Sequence, residues 1–245
     1  MAVPMVTMLG LSLLTIFVSA VEFIAGFGIS TIMIPVLLLF LTPVHAIFFT
    51  SIIDLVHNCF KVWVTRNRPI SWFLVFRFGG AAVITTSIGA LFLFVIPEMI
   101  FQRLIGALLL IYVWFLNHHP QFRVRGGTWS MLAGGGIYGF ISGMFGIGGA
   151  LRTAVLVAFD LSKETYLATH SITSLLVSIT RIGTYISRGA QLSSILWLSL
   201  WLCVPLTFVG VIVGNALFAR ISSKQLRLII SFLLSLMGFK FLLFP

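Results

Sequence analysis

The sequence predicts an all-α, polytopic membrane protein, and three observations support that prediction. Of the 245 residues, 60% are hydrophobic and only 8% are charged, and the mean hydropathy is +1.16. A soluble domain of this length needs a more polar surface. Apolar runs recur along the whole chain, separated by glycine, proline and charge clusters. Most of these runs reach the roughly 20 helical residues that cross a hydrocarbon core of about 30 Å.

The charge balance agrees with a membrane protein. Fifteen Lys and Arg residues against five Asp and Glu give a formal net charge of +10. In a soluble protein that excess would suggest a nucleic-acid partner, but basic residues accumulate in the cytoplasmic loops of any membrane protein. We therefore expect no nucleic-acid partner, and a multi-pass protein of the cell membrane that is surrounded by the lipid bilayer.

The sequence has no pattern typical of a cofactor or metal site. Cys59 and Cys203 lie in apolar runs and form no CxxC or Cys/His spacing, so we expect neither a disulfide nor a metal site. His118 and His119 have no nearby carboxylate or thiol partner in the sequence, and there is no nucleotide-binding P-loop. The sequence therefore predicts no cofactor.

The apolar runs form ten segments, two of which are too short to cross a membrane. In chain order the segments are 5–25, 29–41, 44–64, 71–95, 99–116, 128–145, 149–159, 164–186, 192–217 and 224–243. Segments 29–41 and 149–159 are predicted to be half-helices, each after a glycine break, GFG at 26–28 or GIGG at 146–149. Irregular backbone at membrane depth must be satisfied by protein or water, so such breaks usually line a site.

The two halves of the chain correspond when 120 is added to the residue number. The matched pairs are Gly26 with Gly146, Gly28 with Gly148, Ser51 with Ser171, and Lys61 with Arg181. A duplicated unit of this kind is typical of transporters. The sequence thus predicts two membrane repeats of five segments, 1–117 and 128–245, joined by a polar linker at 118–127.

The basic residues indicate that the second repeat is inverted. In the first half the basic cluster follows the third segment, and in the second half it follows the fourth; the members are Lys61, Arg66 and Arg68, then Arg220, Lys224 and Arg227. Five segments per repeat turn the second copy over, and the positive-inside rule then moves the cluster by one loop. This topology predicts a cytoplasmic linker and both termini outside.

The third segment of each repeat carries a polar stripe at helical spacing. The first stripe is Thr50, Asp54, His57 and Lys61, with Ser51 and Asn58 beside it; the second is His170, Ser174, Arg181 and Tyr185, with Ser171 beside it. Such a face must turn toward protein or water. Hydrogen bonds between helices are an alternative role for the hydroxyls. They explain the charged residues less well.

Arg152 is the strongest candidate for binding an anion. It lies three residues after Gly149, in the first turn of the second half-helix. A helix N-terminus carries about half a positive charge, so a guanidinium there is unfavourable unless an anion joins it. The planar fork of Arg matches sulfite, sulfonate or carboxylate oxygens. An internal salt bridge to Glu22 or Asp54 is the alternative, and these two carboxylates are also candidate coupling groups.

The run GGGIYG at 134–139 matches GxGxxG but is not a dinucleotide site. No strand precedes it, and it lies in a membrane segment. Gly135, Gly139 and Gly143 recur every four residues, a pattern that lets two helix backbones approach closely. The sequence leaves open whether this face packs within one chain or against a second copy, and so whether the protein is a homodimer.

Taken together, these features resemble the sulfite exporter TauE/SafE family of membrane permeases. The likeness covers essentially the whole chain and rests on short motifs: GFGIS at 26–30, IPVLL at 34–38, AIFFTS at 46–51, GIGG at 146–149 and TYLATHS at 165–171. The chain departs from the family pattern at Ile29 and Ser30 and at 153–155. The resemblance implies export or uptake of sulfite, sulfonates or related small anions.

We therefore expect a secondary transporter that exports a small sulfur-containing anion by alternating access. The anion is expected between the half-helix N-termini at Ser30 and Gly149. The full set of predicted binding residues is Gly26, Gly28, Ser30, Thr50, Ser51, Asp54, Gly146, Gly148, Gly149, Arg152, His170, Ser171, Ser174 and Arg181. An anion channel is the first alternative, and an intramembrane hydrolase built on His170 and Ser171 is the second.

Overall fold

The described part of the chain is helical, as predicted. The structure is a computed structural model that describes residues 2–25, 28–118, 127–218 and 223–245. Gly26, Arg220 and residues 119–126 of the predicted linker lie outside the described residues, as do the side chains of Lys224 and Arg227.

Ten helices form the described part, and they match the ten predicted segments to within four residues at each end. They are α1 Ala2–Ala25, α2 Ser30–Leu37, α3 Pro43–Thr65, α4 Trp72–Val95, α5 Glu98–His118, α6 Thr128–Phe145, α7 Gly149–Val157, α8 Lys163–Ser187, α9 Ser194–Phe218 and α10 Ser223–Leu243. The two short helices, α2 and α7, are the predicted half-helices, with eight and nine residues.

Four of the described helices are long and apolar enough to cross a membrane. These stretches are Pro43–Thr65, Trp72–Val95, Glu98–Phe115 and Ser194–Gly214. Two shorter apolar helical stretches, Met8–Glu22 and Leu228–Leu243, accompany them. The helix α8 is 25 residues long, but its polar stripe makes it less apolar than those four. The all-α membrane fold is thereby confirmed.

Helix α4 contains a π-helical turn at Val75–Gly79 that the sequence did not predict. Single π-turns inside α-helices often occur at functional sites. Here the turn comes immediately before Gly80, and a Cβ on Gly79 would lie 3.4 Å from the Thr173 methyl group of α8. The extra residue in this turn adjusts the register of α4, and Phe78 lies within it.

The described chain divides into two compact units, and each draws on both halves of the sequence. The first unit is Met1–Ile53, Pro97–Pro120 and Gln191–Pro245; the second is Asp54–Ile96 and Gln121–Ala190. In the first unit α1 packs on α9 and α5 on α10, and in the second unit α6 packs on α4 and α7. The units thus differ from the repeats 1–117 and 128–245, whose assignment stays a prediction.

Within the second unit, glycines bring α6 into backbone contact with α4. A Cβ added to Gly135, Gly139 or Gly143 would collide with the carbonyl oxygen of Phe78, Ala82 or Thr86, respectively. The predicted close packing of this glycine face is therefore confirmed, and its partner is a helix of the same chain.

Within the first unit, α5 and α10 run antiparallel. Gly106 lies against Gly238, whereas Asn117, further along α5, donates a hydrogen bond to Ser231, which comes earlier in α10. These helices are the fifth segments of the two predicted repeats. An inverted repeat requires equivalent helices that pack together to be antiparallel, so this pairing is consistent with the inversion, which stays a prediction.

Candidate functional site

The break between α6 and α7 depends on two glycines with positive φ. Gly146 has φ 72° and ends α6 in the left-handed conformation, with its N–H bonded to the Ser142 carbonyl at 3.0 Å. Gly148 has φ 150° and directly precedes α7. A Cβ at Gly148 would lie 3.0 Å from the ring of Tyr138. Both conformation and space therefore favour glycine here.

Arg152 is buried in the first turn of α7 and is held by two neutral side chains. Its Nε donates to Nε2 of His170 at 3.0 Å, and its Nη1 donates to the hydroxyl of Tyr138 at 2.8 Å. The residue is only 8% exposed. Among the residues that the structure describes, the hydrogen-bond partners of Arg152 are an imidazole and a phenol, and neither carries a negative charge.

Tyr138 lies in the glycine-rich run at 134–139, from which only helix packing was predicted, and its hydroxyl also accepts a hydrogen bond from Arg152. It is 3% exposed, and its ring stacks on Phe78 with the centroids 5.6 Å apart and the planes at 11°. The π-helical turn of α4 thus supplies the surface that fixes the phenol. A tyrosine two turns before the break was the signal available in the sequence, because a buried guanidinium needs acceptors nearby.

Arg181 forms a second buried cationic centre in the same unit, and this one is paired with an acid. Its Nη2 lies 3.1 Å from Oδ2 of Asp54, and its Nη1 donates to the Gly146 carbonyl at 3.0 Å. Two longer bonds of 3.4 Å reach the carbonyl and hydroxyl of Ser142. Arg181 therefore caps the carbonyl end of α6, where the helix dipole favours a cation, while Asp54 balances its charge.

One nitrogen of Arg181 is not used in the bonds described above. Its Nε is buried and has no hydrogen-bond partner among the described residues, although the residue is only 2% exposed. Tyr185, one turn later on α8, donates to the Gly143 carbonyl at 2.5 Å. The polar stripe of α8 thus holds the end of α6 at two points, through Arg181 and Tyr185.

The serine and threonine hydroxyls of both polar stripes donate within their own helices. Thr50 and Ser51 of α3 bond the carbonyls of Ala46 and Ile47; Ser171 and Ser174 of α8 bond those of Leu167 and His170. Two further bonds between helices come from residues outside the stripes. Asn58 donates to Ser178 at 3.0 Å, and the backbone N–H of Ser71 donates to Thr169.

The second unit brings together most of the predicted binding residues of the second repeat. Arg181 bonds the Gly146 carbonyl and pairs with Asp54, which belongs to the first repeat. Arg152, in the helix that begins after Gly148 at Gly149, bonds His170. In the first unit Glu22, Ser30, Thr50 and Ser51 are buried, and Gly28 has φ 86°. Placement of the anion between Ser30 and Gly149 stays a prediction.

Side chains able to hold a metal do not cluster in the described part of the chain. No group of three or more His, Cys, Asp or Glu residues comes together there. Cys59 is exposed and Cys203 is buried, and both are free thiols.

These features define a helical membrane protein with two buried arginines, one neutralised by a carboxylate and one bonded to neutral groups. The chain belongs to the sulfite exporter TauE/SafE family, since the family model matches residues 11–241. This match confirms the resemblance seen in the sequence. Members of this family are membrane permeases for sulfite and related sulfur-containing anions. Neither a curated protein nor a solved structure matches the chain.

Proposed function

We propose that this protein is a multi-pass secondary transporter of the cell membrane that exports small sulfur-containing anions such as sulfite or sulfonates. The family supports the substrate class. The observation that supports the site is the contrast between the two buried arginines: Arg181 is paired with Asp54, whereas Arg152 is bonded to His170 and Tyr138.

The charge of Arg152 makes an anion the natural third partner. A buried charge that lacks a counter-ion costs about 3–5 kcal/mol in proteins. Arg152 also lies in the first turn of α7, where the helix dipole adds about half a positive charge. A small anion bound there offsets both unfavourable terms, so the site binds an anion more strongly than it binds a neutral solute.

The available donors suit an oxyanion. A guanidinium carries five N–H donors. Two nitrogens of Arg152 bond His170 and Tyr138, and no bond of the third, Nη2, is found among the described residues. The first N–H groups of α7 have no partner within their own helix. Sulfite and sulfonates each present three oxygens to such a set of donors, and Arg pairs with planar or pyramidal oxyanions through two parallel bonds.

The geometry favours transport over the hydrolase alternative. A nucleophilic serine must be hydrogen-bonded to its base. The hydroxyl of Ser171 instead donates to the Leu167 carbonyl at 2.8 Å, and Nε2 of His170 accepts from Arg152. We therefore infer that the protein is not an enzyme.

Substrate-dependent thermal stabilisation in detergent tests the site. Sulfite, sulfate, thiosulfate, sulfoacetate, taurine and small carboxylates are compared at matched ionic strength. A ligand that binds only the folded protein adds about 2.7 kcal/mol at a hundredfold excess over Kd. We expect stabilisation by a sulfur oxyanion that is lost in Arg152→Gln and kept in Arg188→Gln, whose arginine is exposed at the end of α8.

Flux in proteoliposomes separates the transporter from the channel. Saturable uptake, accelerated by unlabelled substrate on the opposite side, is the behaviour of alternating access. Flux that rises linearly with concentration and shows no such exchange would support the channel. Equal stabilisation of wild type and Arg152→Gln by the same anion would remove Arg152 from the site.

A further inference from the structure

We propose that His170 is the proton-coupling residue of this transporter, so that the anion and one proton bind together. The inference rests on the proposed function, because it assigns a role to the side chain that contacts Arg152. It differs from the sequence-based candidates for coupling, Glu22 and Asp54. Asp54 already balances the charge of Arg181.

The hydrogen bond between Arg152 and His170 fixes the protonation state of the imidazole. A guanidinium nitrogen donates and never accepts, so Nε2 of His170, 3.0 Å from Nε of Arg152, must be the acceptor. An imidazole that accepts at Nε2 is neutral and carries its proton on Nδ1. The cluster therefore consists of a permanent cation and a neutral imidazole.

Within the described part of the chain, the charged groups that act on His170 are two cations from other helices. Arg152 of α7 and Lys61 of α3 are close enough to interact electrostatically with the imidazole. The nearby phenols are neutral: Tyr138 of α6 is bonded to Arg152, and the ring of Tyr166, on α8 itself, lies 5.6 Å from the imidazole ring. In this environment a bound anion is the group that favours a proton on His170.

Protonation changes the imidazole from an acceptor into a donor. An imidazolium has N–H groups on both nitrogens, so it cannot accept from Arg152, and the two cations repel each other. An anion placed between them relieves that repulsion and gains a second charged donor. The proton therefore raises the affinity for the anion, and by linkage the anion raises the affinity of His170 for the proton to the same extent.

This coupling has a direction that can be measured. One proton is bound with each anion, so the apparent affinity for the anion falls as pH rises. The fall is up to tenfold per pH unit in the range where His170 is neutral in the empty site and protonated in the occupied site. A pH gradient then drives the anion from the acidic side of the membrane to the alkaline side, so export from an alkaline cytoplasm requires an outward anion gradient larger than the pH gradient.

The test uses anions that do not themselves titrate. Binding of methanesulfonate and of sulfate to the purified full-length protein is measured from about pH 5 to about pH 8, the range in which an imidazole changes charge. The same anions are then followed in proteoliposomes with an imposed pH gradient. We expect affinity to fall with pH in wild type, and we expect the anion to accumulate on the alkaline side of the membrane.

His170→Gln is the informative variant, because the glutamine oxygen can accept from Arg152 but cannot take up a proton. We expect its anion affinity to be nearly independent of pH, and we expect it to exchange anions without gradient-driven accumulation. His118→Gln, which changes an exposed histidine in α5, is the matched control and should behave as wild type. His170→Asn serves as a second neutral variant if His170→Gln fails to fold.

The outcomes separate this inference from the function on which it rests. If wild type binds the anions but His170→Gln keeps the same pH dependence and still accumulates them, proton coupling through His170 is wrong while the anion site stands. If wild type binds neither anion at any pH, both proposals are wrong. Loss of pH dependence in His170→Gln alone, with exchange retained, supports the coupling.

Discussion

Asn58 and Ser178 are separated by 120 positions in the sequence and are hydrogen-bonded to each other, with Nδ2 of Asn58 3.0 Å from Oγ of Ser178. The same shift relates the two glycine breaks and relates Lys61 to Arg181. In two copies related by a two-fold axis, equivalent positions meet where the axis passes between them. The contact between α3 and α8 is therefore consistent with the inverted repeat, which stays a prediction.

The ion pair of Asp54 and Arg181 lies one turn from that crossing, and breaking it should destabilise the fold. Asp54→Ala leaves a guanidinium, only 3% exposed in its side chain, without a counter-ion. Removing one partner of a buried pair costs about 3–5 kcal/mol. Because Asp54 is partly exposed, at 16%, we expect a loss near the lower end of that range. The loss is measured as a lowered midpoint of unfolding in detergent.

Two further variants show whether the charge itself is responsible. Asp54→Ala combined with Arg181→Met removes both charges, so it should recover most of the lost stability. Asn58→Ala removes only a neutral hydrogen bond between helices, which is worth about 0.6 kcal/mol on average in membranes. A double variant no more stable than Asp54→Ala would argue against charge balance as the role of Asp54.

The glycine face of α6 gives a second prediction. Gly139→Ala places a methyl group against the carbonyl oxygen of Ala82, and backbone atoms cannot move aside as a flexible side chain does. We expect a loss of about 1–3 kcal/mol, the usual cost of overpacking, because α4 and α6 must separate. The matched control is Gly183→Ala on α8, which has no atom within 4 Å of the added Cβ.

Thermal melting of both variants in detergent is the measurement. Gly183→Ala should be neutral or stabilising by up to about 1 kcal/mol, since alanine is the better helix former. Equal melting temperatures for Gly139→Ala and wild type would show that α4 and α6 are further apart than the carbonyl contact implies.

The helices were predictable from the sequence because hydropathy and glycine breaks are local properties. The bounds of α6, Thr128–Phe145, agree with the predicted segment at both ends. The close approach of Gly139 to another helix also followed from its four-residue spacing. The π-helical turn at Val75–Gly79 was not predictable, because no residue pattern in that stretch distinguishes a π-turn from ordinary helix.

The candidate site was predictable in composition but not in pairing. The sequence singled out Asp54, Arg152 and Arg181 as costly membrane charges. It offered Asp54 as a partner for Arg152, whereas the structure pairs Asp54 with Arg181. Which cation meets the acid depends on how α3 and α8 cross, which is a tertiary property. The role of Tyr138 depends likewise on the packing of α4 against α6.

Replacing Arg152 by lysine tests the planar fork separately from the charge. Lysine keeps the positive charge at the start of α7 but loses the Nε donor to His170 and the paired geometry that suits an oxyanion. We expect Arg152→Lys to transport the sulfur anion with a KM raised about tenfold or more and with folding retained, whereas Arg152→Gln is inactive. Full activity of Arg152→Lys would show that charge alone defines the site.

Removing the hydroxyl of Tyr138 tests whether the phenol positions Arg152 for the anion. Tyr138→Phe keeps the ring that stacks on Phe78, so the packing of α6 on α4 should persist. It removes the acceptor 2.8 Å from Nη1 of Arg152, a bond to a charged group that is worth about 1.5–3 kcal/mol. The ligand-free melting temperature should fall because this bond is lost from the empty protein as well. We expect anion affinity to fall about tenfold or more, measured as a smaller thermal shift with sulfite relative to the variant's own ligand-free melting temperature. Tyr112→Phe, which changes a half-buried phenol on α5 in the first unit, should bind as wild type. If Tyr138→Phe also binds as wild type, Arg152 is held for the anion by His170 and the fold of α7, without help from the phenol.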